Sequence, residues 1–157
     1  MDEIEAGIAG EDQRPRVASR RAAYREFAKL RPPRVITHEG EIPRLPRSEH
    51  LPPNTLEGAS ASLGVVEGVA RVILDPTRAQ LQPGEILVAP FTDPGWTPLV
   101  VPAAGLVMEV GGLMTHGSVV AREYGIPAVV GVDECTTKIQ TGQRIRVDGD
   151  RGLVELL

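Results

Sequence analysis

Gly105–Val132 reads GLVMEVGGLMTHGSVVAREYGIPAVVGV, and this stretch decides the fold. Gly105–Val110 is apolar enough for a strand. Gly111 and Gly112 break it, since glycine opens backbone dihedrals closed to other residues and lets another molecule come close. Thr115 is a good N-cap, which places His116 in the first turn of the helix that follows. The spacing predicts that helix over Ser118–Tyr124, closed by Gly125 at the C′ position with Pro127 beyond it. Ala128–Val132 is the next strand.

The same alternation continues on both sides. Upstream, Val65–Val66 and Val69–Leu74 read as two strands divided by Glu67-Gly68. Asp75-Pro76 opens a turn or short helix, and Pro83-Gly84 turns into a buried strand, Glu85–Pro90. Asp93-Pro94-Gly95 precedes a short helix over Trp96–Val101, with Asp93 as its N-cap. Downstream, Gln143–Val147 and Gly152–Leu156 form a hairpin around Asp148-Gly149-Asp150. Repeated short strands and helices predict a mixed α/β domain over residues 56–157.

Residues 1–55 differ in character. Val17–Leu30 (VASRRAAYREFAKL) favours a helix, and Arg31-Pro32-Pro33 stops it. From Arg14 to Arg34 the chain holds eight Lys or Arg against one acid, Glu26. That charge suits a solvated joining helix or an anionic docking surface. Residues 31–55 are proline-rich and read as a linker, with Val35–Thr37 a short strand within it.

Composition bounds the function. Aromatics make up 3% of the 157 residues, so the core must be built from Val, Leu, Ile and Ala. The formal charge of -4 argues against a dedicated nucleic-acid binder. Cys135 is the sole cysteine, which excludes a disulfide framework and suits a reducing, cytoplasmic setting. The acidic start MDEIEAGIAGEDQ is not a signal peptide, and no apolar run is long enough for a membrane span.

His116 carries the chemical interest. First-turn amides lack intrahelical acceptors, and the helix dipole there favours negative charge. A phosphoryl group on His116 would meet those donors. The same field disfavours an imidazolium, keeping a ring nitrogen available for attack near pH 7. Taken alone, a histidine at a helix start is more often a surface or capping residue.

The longer pattern is more specific. Gly111-Gly112, a short spacer, His116, Ala121-Arg122 and then Gly125–Gly131 (GIPAVVG) resemble the phosphohistidine, or swivelling, domain of the phosphoenolpyruvate-utilising enzymes. Thr92–Trp96 (TDPGW) matches a further segment, and the resemblance covers residues 56–157. The forms GLMTHG and TDPGW are similar to the rifampin phosphotransferase and phosphoenolpyruvate synthase-like branch. The resemblance implies a compact β/β/α sandwich with His116 as the phosphorylated residue. Gly111, Gly112, Thr115, Gly117 and Arg122 would support the phosphate loop. It also implies an ATP-grasp partner domain that uses ATP and magnesium to phosphorylate His116, yielding AMP and inorganic phosphate overall. A second partner domain would present the acceptor, pyruvate or a drug hydroxyl. No cofactor is expected on this chain itself. Arg122 has two readings, a phosphate ligand and a structural ion-pair partner. The threonine that is a regulatory target two positions before the histidine in the synthase and dikinase is Met114 here, which puts that control in doubt.

Two other classes stand beside the carrier reading: a non-catalytic interaction module that keeps the fold, and a free-standing phosphocarrier subunit. A metal site joining His38, His50 and His116 has no ligand spacing behind it. Cys135 reads as a small buried or capping residue, Trp96 as core, and Asp133-Glu134 as a capping pair.

Overall fold

The computed structural model describes residues 12–30, 38–39 and 51–157. It divides into two units, Met1–Leu45 and Pro46–Leu157. In the first, helix α1 spans Arg14–Phe27 and buries none of its residues. It starts three residues before the expected Val17 because Pro15 sits in the first turn, where a missing N–H costs nothing. Its end frays through 3₁₀-type bonds from Lys29 and Leu30. The expected strand Val35–Thr37 and most of the proline-rich linker lie outside the described residues.

The second unit contains strands β1 (Thr55–Glu57), β2 (Ala59–Ser62), β3 (Val65–Val72), β4 (Glu85–Ala89), β5 (Gly105–Met108), β6 (Ala128–Val130), β7 (Arg144–Asp148) and β8 (Leu153–Leu156). Helices α2 (Thr97–Val100), α3 (His116–Tyr124) and α4 (Cys135–Lys138) lie between them, with 3₁₀ turns at Pro76–Arg78 and Pro94–Trp96. The strand order is β1-β8-β7-β3-β4-β5-β6-β2. β3, β4, β5 and β6 run parallel to one another, and the other pairings are antiparallel.

β3 joins two layers. Its residues Val65–Val69 pair with β7, whereas Val69–Val72 pair with β4. It is therefore one continuous strand rather than the two expected on either side of Glu67-Gly68. Gly68 does not break it; a Cβ there would sit 2.9 Å from the Gly84 carbonyl oxygen, so the glycine admits a close strand crossing.

Alternation along the central strands builds two cores. Ile86, Val88, Val107 and Val129 face Ile145, Val147 and Val154 of the second strand layer, with Cys135 and Ile139 of the α4 segment beside them. Leu87, Leu106, Met108, Ala128 and Val130 face the other way, toward Trp96, Leu99 and Val100 around α2 and Ala121 of α3. The result is the β/β/α arrangement. Trp96 is core, as expected, and so is Cys135. Glu134 does not cap α4 through its side chain; it sits at a left-handed position and its carboxylate pairs with Lys138 at 3.1 Å.

One charged pair is built into this core edge. Glu85 is buried, and its carboxylate accepts from Arg71 Nη2 at 2.5 Å, Arg71 Nε at 3.1 Å and the Gln82 amide at 2.8 Å. The Arg71 hydrogen bonds hold the Glu85 carboxyl below the ordinary value of 4.5, with help from Gln82 and against the opposing effect of burial. A depressed folded-state value stabilises the fold above the ordinary glutamate range, and that contribution is lost as pH falls through the folded value. Glu85→Gln therefore lowers the melting temperature by a few degrees at pH 7. The gap to wild type narrows progressively below about pH 4.5. Melting curves from pH 7 to pH 3 check this, and a gap that stays constant with pH would remove the assignment.

Candidate functional site

Parallel pairing puts the C-terminal ends of β4, β5 and β6 on one edge of the sheet. The loop after β4 carries Thr92–Trp96, and the loop after β5 carries Gly111–Thr115. They are laced together at their roots, where the Val110 amide donates to the Pro90 carbonyl at 2.8 Å. The two sequence segments singled out above therefore meet at the carboxyl edge of a parallel sheet, where such sheets commonly place their sites.

His116 is the first residue of α3 and is half-buried. Its Nε2 lies 3.3 Å from Thr97 Oγ1. Thr97 already donates its single hydroxyl hydrogen to the Pro94 carbonyl at 2.9 Å. Toward His116 it can only accept, which assigns the ring proton to Nε2. Nδ1 is then the bare nitrogen, and it is buried with no hydrogen-bond partner among the described residues. The imidazole is thus parked with its proton on the threonine side and its lone pair turned inward. Sequence reasoning missed Thr97. The signal available was its place directly after TDPGW, where a hydroxyl on the first turn can reach back to Pro94.

Thr115 occupies the N-cap position, but its hydroxyl does not cap the helix. It donates to the Gly112 carbonyl at 2.9 Å and lies 3.0 Å from Ser118 Oγ. Ser118 Oγ also reaches Gly112 O, at 2.8 Å, and the Thr115 amide does so at 3.1 Å. The first intrahelical bond runs from Val119 N–H to Thr115 O. The amides of His116, Gly117 and Ser118 precede it and have no intrahelical acceptor.

The glycines divide by what surrounds them. Neither Gly111 nor Gly112 takes a positive φ, so their expected dihedral role is not what places them here. A Cβ on Gly111 would lie 3.3 Å from Met108 Cε and Val130 Cβ, whereas one on Gly112 would meet nothing within 4 Å. Gly117 is buried, and a Cβ on it would run into Thr92 Oγ1 and lie 3.0 Å from Met108 Sδ. Gly125 closes α3 with φ 66°, as its C′ position requires.

Of the two readings of Arg122, the ion pair is not formed among the described residues. Its guanidinium donates to the backbone carbonyls of Ala61, at 3.2 Å, and Leu113. Asp93 accepts from the Gly95 amide at 2.7 Å, so it caps the 3₁₀ turn. Met114 is 84% exposed beside His116, and Leu113, Val110 and Phe91 are also exposed, giving this edge an apolar rim. Among the described residues no group of His, Cys, Asp and Glu is placed to hold a metal ion. His50 lies outside those residues.

With this geometry in view, the relatives are informative. Residues 81–152 match the family model described as the mobile domain of PEP-utilising enzymes. The chain is 55% identical over 142 residues to rifampicin phosphotransferase of Streptomyces sviceus, and 54% over 141 residues to that of Bacillus subtilis. Residues 81–152 belong to the PEP-utilising mobile-domain family. The aligned residues are 90% and 89% of this chain but 16% of each of those two relatives, so a mobile domain is a small share of the enzymes it resembles. A probable phosphoenolpyruvate synthase of Staphylothermus marinus is 44% identical over 102 residues, which are 63% of the chain and 12% of that relative.

Among solved structures, aconitase X of Thermococcus kodakaraensis superposes with a TM-score of 0.53 and 26% identity over 66% of this chain and 98% of that one. The mobile-domain fold therefore also occurs in a protein named for other chemistry. What the chain does must be argued from its site. No helix among the described residues is long and apolar enough to cross a membrane.

Proposed function

We propose that this chain is a phosphohistidine carrier in which His116 takes a phosphoryl group from one active site and delivers it to another. The carrier is residues 56–157, with residues 1–55 as the segment that joins it to a neighbour. The observation that carries this reading is the placement of His116: the first residue of α3, beside uncapped amides, on the edge where both matched segments meet.

We assign the reaction to Nε2, the nitrogen whose contact with Thr97 breaks when the ring turns outward. For that, the ring must leave Thr97. Once it turns outward, the neutral imidazole can carry its proton on Nδ1 and its lone pair on Nε2. The Nε2 lone pair then attacks the β-phosphorus of ATP, the bond to the α-phosphate oxygen breaks and AMP leaves with the electron pair; water then removes the γ-phosphate as inorganic phosphate, leaving one phosphoryl group on the ring. The first-turn N–H groups face the new negative charge, and they are free to do so because Thr115 spends its hydroxyl elsewhere. In onward transfer an acceptor oxygen attacks phosphorus, a base of the acceptor domain takes its proton, and the phosphorus–nitrogen bond breaks with its electron pair returning to Nε2. The rest of the catalysis is positioning and charge stabilisation. It would come from an ATP-grasp domain with ATP and magnesium, and from an acceptor domain binding pyruvate or a drug hydroxyl. The rifampicin phosphotransferase relatives favour a hydroxyl acceptor.

Incubation with an ATP-grasp donor, magnesium and ATP labelled at the β-phosphate tests the proposal. The expected result is label on the chain that is acid-labile and base-stable. A chain that takes no label from the ATP-grasp domain of a rifampicin phosphotransferase relative would instead be an interaction module that keeps the fold without the chemistry.

A further inference from the structure

We infer that Arg122 is a positioning residue: it fixes the loop that presents His116 by holding two backbone carbonyls, and it does not bind the phosphoryl group. The inference rests on the carrier reading for its link to transfer, but its structural half stands independently.

Three observations support it. Arg122 follows His116 by six positions, about 240° round the helix and about 9 Å along it, so its stem leaves α3 away from the histidine. Its guanidinium is occupied, by Leu113 O in the loop and by Ala61 O in β2. It also has no carboxylate partner among the described residues, so its charge strengthens these two bonds to carbonyls.

The loop needs such a hold. Gly112 O is fixed from within by Thr115 and Ser118. Leu113 and Met114, which lead into His116, are exposed and gain no packing from the core. Arg122 supplies their anchor to a paired strand, and Ser62 Oγ adds a second tie from β2 to α3 through the Ala121 carbonyl at 3.4 Å. A planar fork reaches two carbonyls on different elements, which a single ammonium does poorly. Turning toward a phosphoryl group would release both.

Arg122→Ala and Arg122→Lys separate the two roles. Amide hydrogen exchange in the unphosphorylated chain is read beside the rate of labelling from the ATP-grasp donor. Expected are at least tenfold faster exchange at the Thr115 amide, which is bonded to Gly112 O, in both variants, and at least tenfold slower labelling at saturating donor, with lysine failing to rescue. Unchanged exchange in Arg122→Ala overturns the inference whatever the labelling rate. So does wild-type labelling despite faster exchange, and so does Arg122→Lys restoring labelling without restoring slow exchange. Absence of label on the wild-type chain would refute the carrier reading instead, while the exchange result would still decide whether Arg122 holds the loop.

Discussion

His116→Ala leaves less than about one-thousandth of the wild-type phosphoryl label on the chain, while its melting temperature moves by no more than about 8 °C. The first half follows from chemistry. Removing the nucleophile of a covalent step removes the step, and such losses reach about 10⁶-fold in enzymes where they have been measured. The second half follows from what the side chain holds. Its Nδ1 makes no hydrogen bond among the described residues, and its Nε2 makes one, at 3.3 Å, to a hydroxyl that has another partner. A single hydrogen bond nets about 0.5–1.5 kcal/mol, and a half-buried ring adds modest packing. Circular dichroism melting and label counting on the same preparation check both halves. A variant that unfolds would make His116 a structural residue. A variant that still takes acid-labile label would place the phosphoryl group elsewhere.

Where the chain's local and global preferences agree, the sequence was readable. Glu85–Ala89 and Gly105–Met108 are short apolar runs bounded by Pro-Gly and Gly-Gly, and they are the buried central strands. Gly125 ended α3 because a left-handed C′ residue leaves few choices. β1 and β2 were not read. Thr-Leu-Glu and Ala-Ser-Ala-Ser lack the β-branched run that marks a strand, and they are strands because β8 and β6 pair with them across the fold. Gly58 between them belongs to the same lesson, since a Cβ there would sit 2.6 Å from the Val130 carbonyl, a contact no local pattern announces.

The site divides the same way. His116 was legible because helix starts are written in adjacent residues. Thr97, its partner, was not, because the contact spans 19 positions and depends on two loops emerging from the same sheet edge. Thr115 was correctly placed at the N-cap but not in its bonding. A hydroxyl that could serve the helix amides serves Gly112 O instead, and propensity does not distinguish those acceptors.

Gly117→Ala and Gly112→Val separate the two glycines nearest His116, with a stability loss expected in the first and little change in the second. Inside an exposed helix, Gly→Ala ordinarily gains about 0.5–1 kcal/mol. At Gly117 the new Cβ meets Thr92 Oγ1 and the Met108 sulfur, and overpacking of this kind costs about 1–3 kcal/mol. The steric effect wins, so Gly117→Ala loses about 1–2 kcal/mol. It also lifts the first turn of α3, so labelling of His116 falls at least tenfold. Thr92→Ala removes the hydroxyl in the way, and in the Gly117→Ala background it should recover at least half of the lost stability. A double-mutant cycle reads that coupling directly. Gly112 stands in open space, and valine there changes stability by less than about 1 kcal/mol. Labelling nevertheless falls at least tenfold, because the added side chain stands where the donor domain must approach the histidine. Equal stability losses in the two variants would mean that the loop is packed differently from the structure. Normal labelling of Gly112→Val would mean that its donor approaches His116 from the α2 side, over Thr97, rather than across the paired glycines.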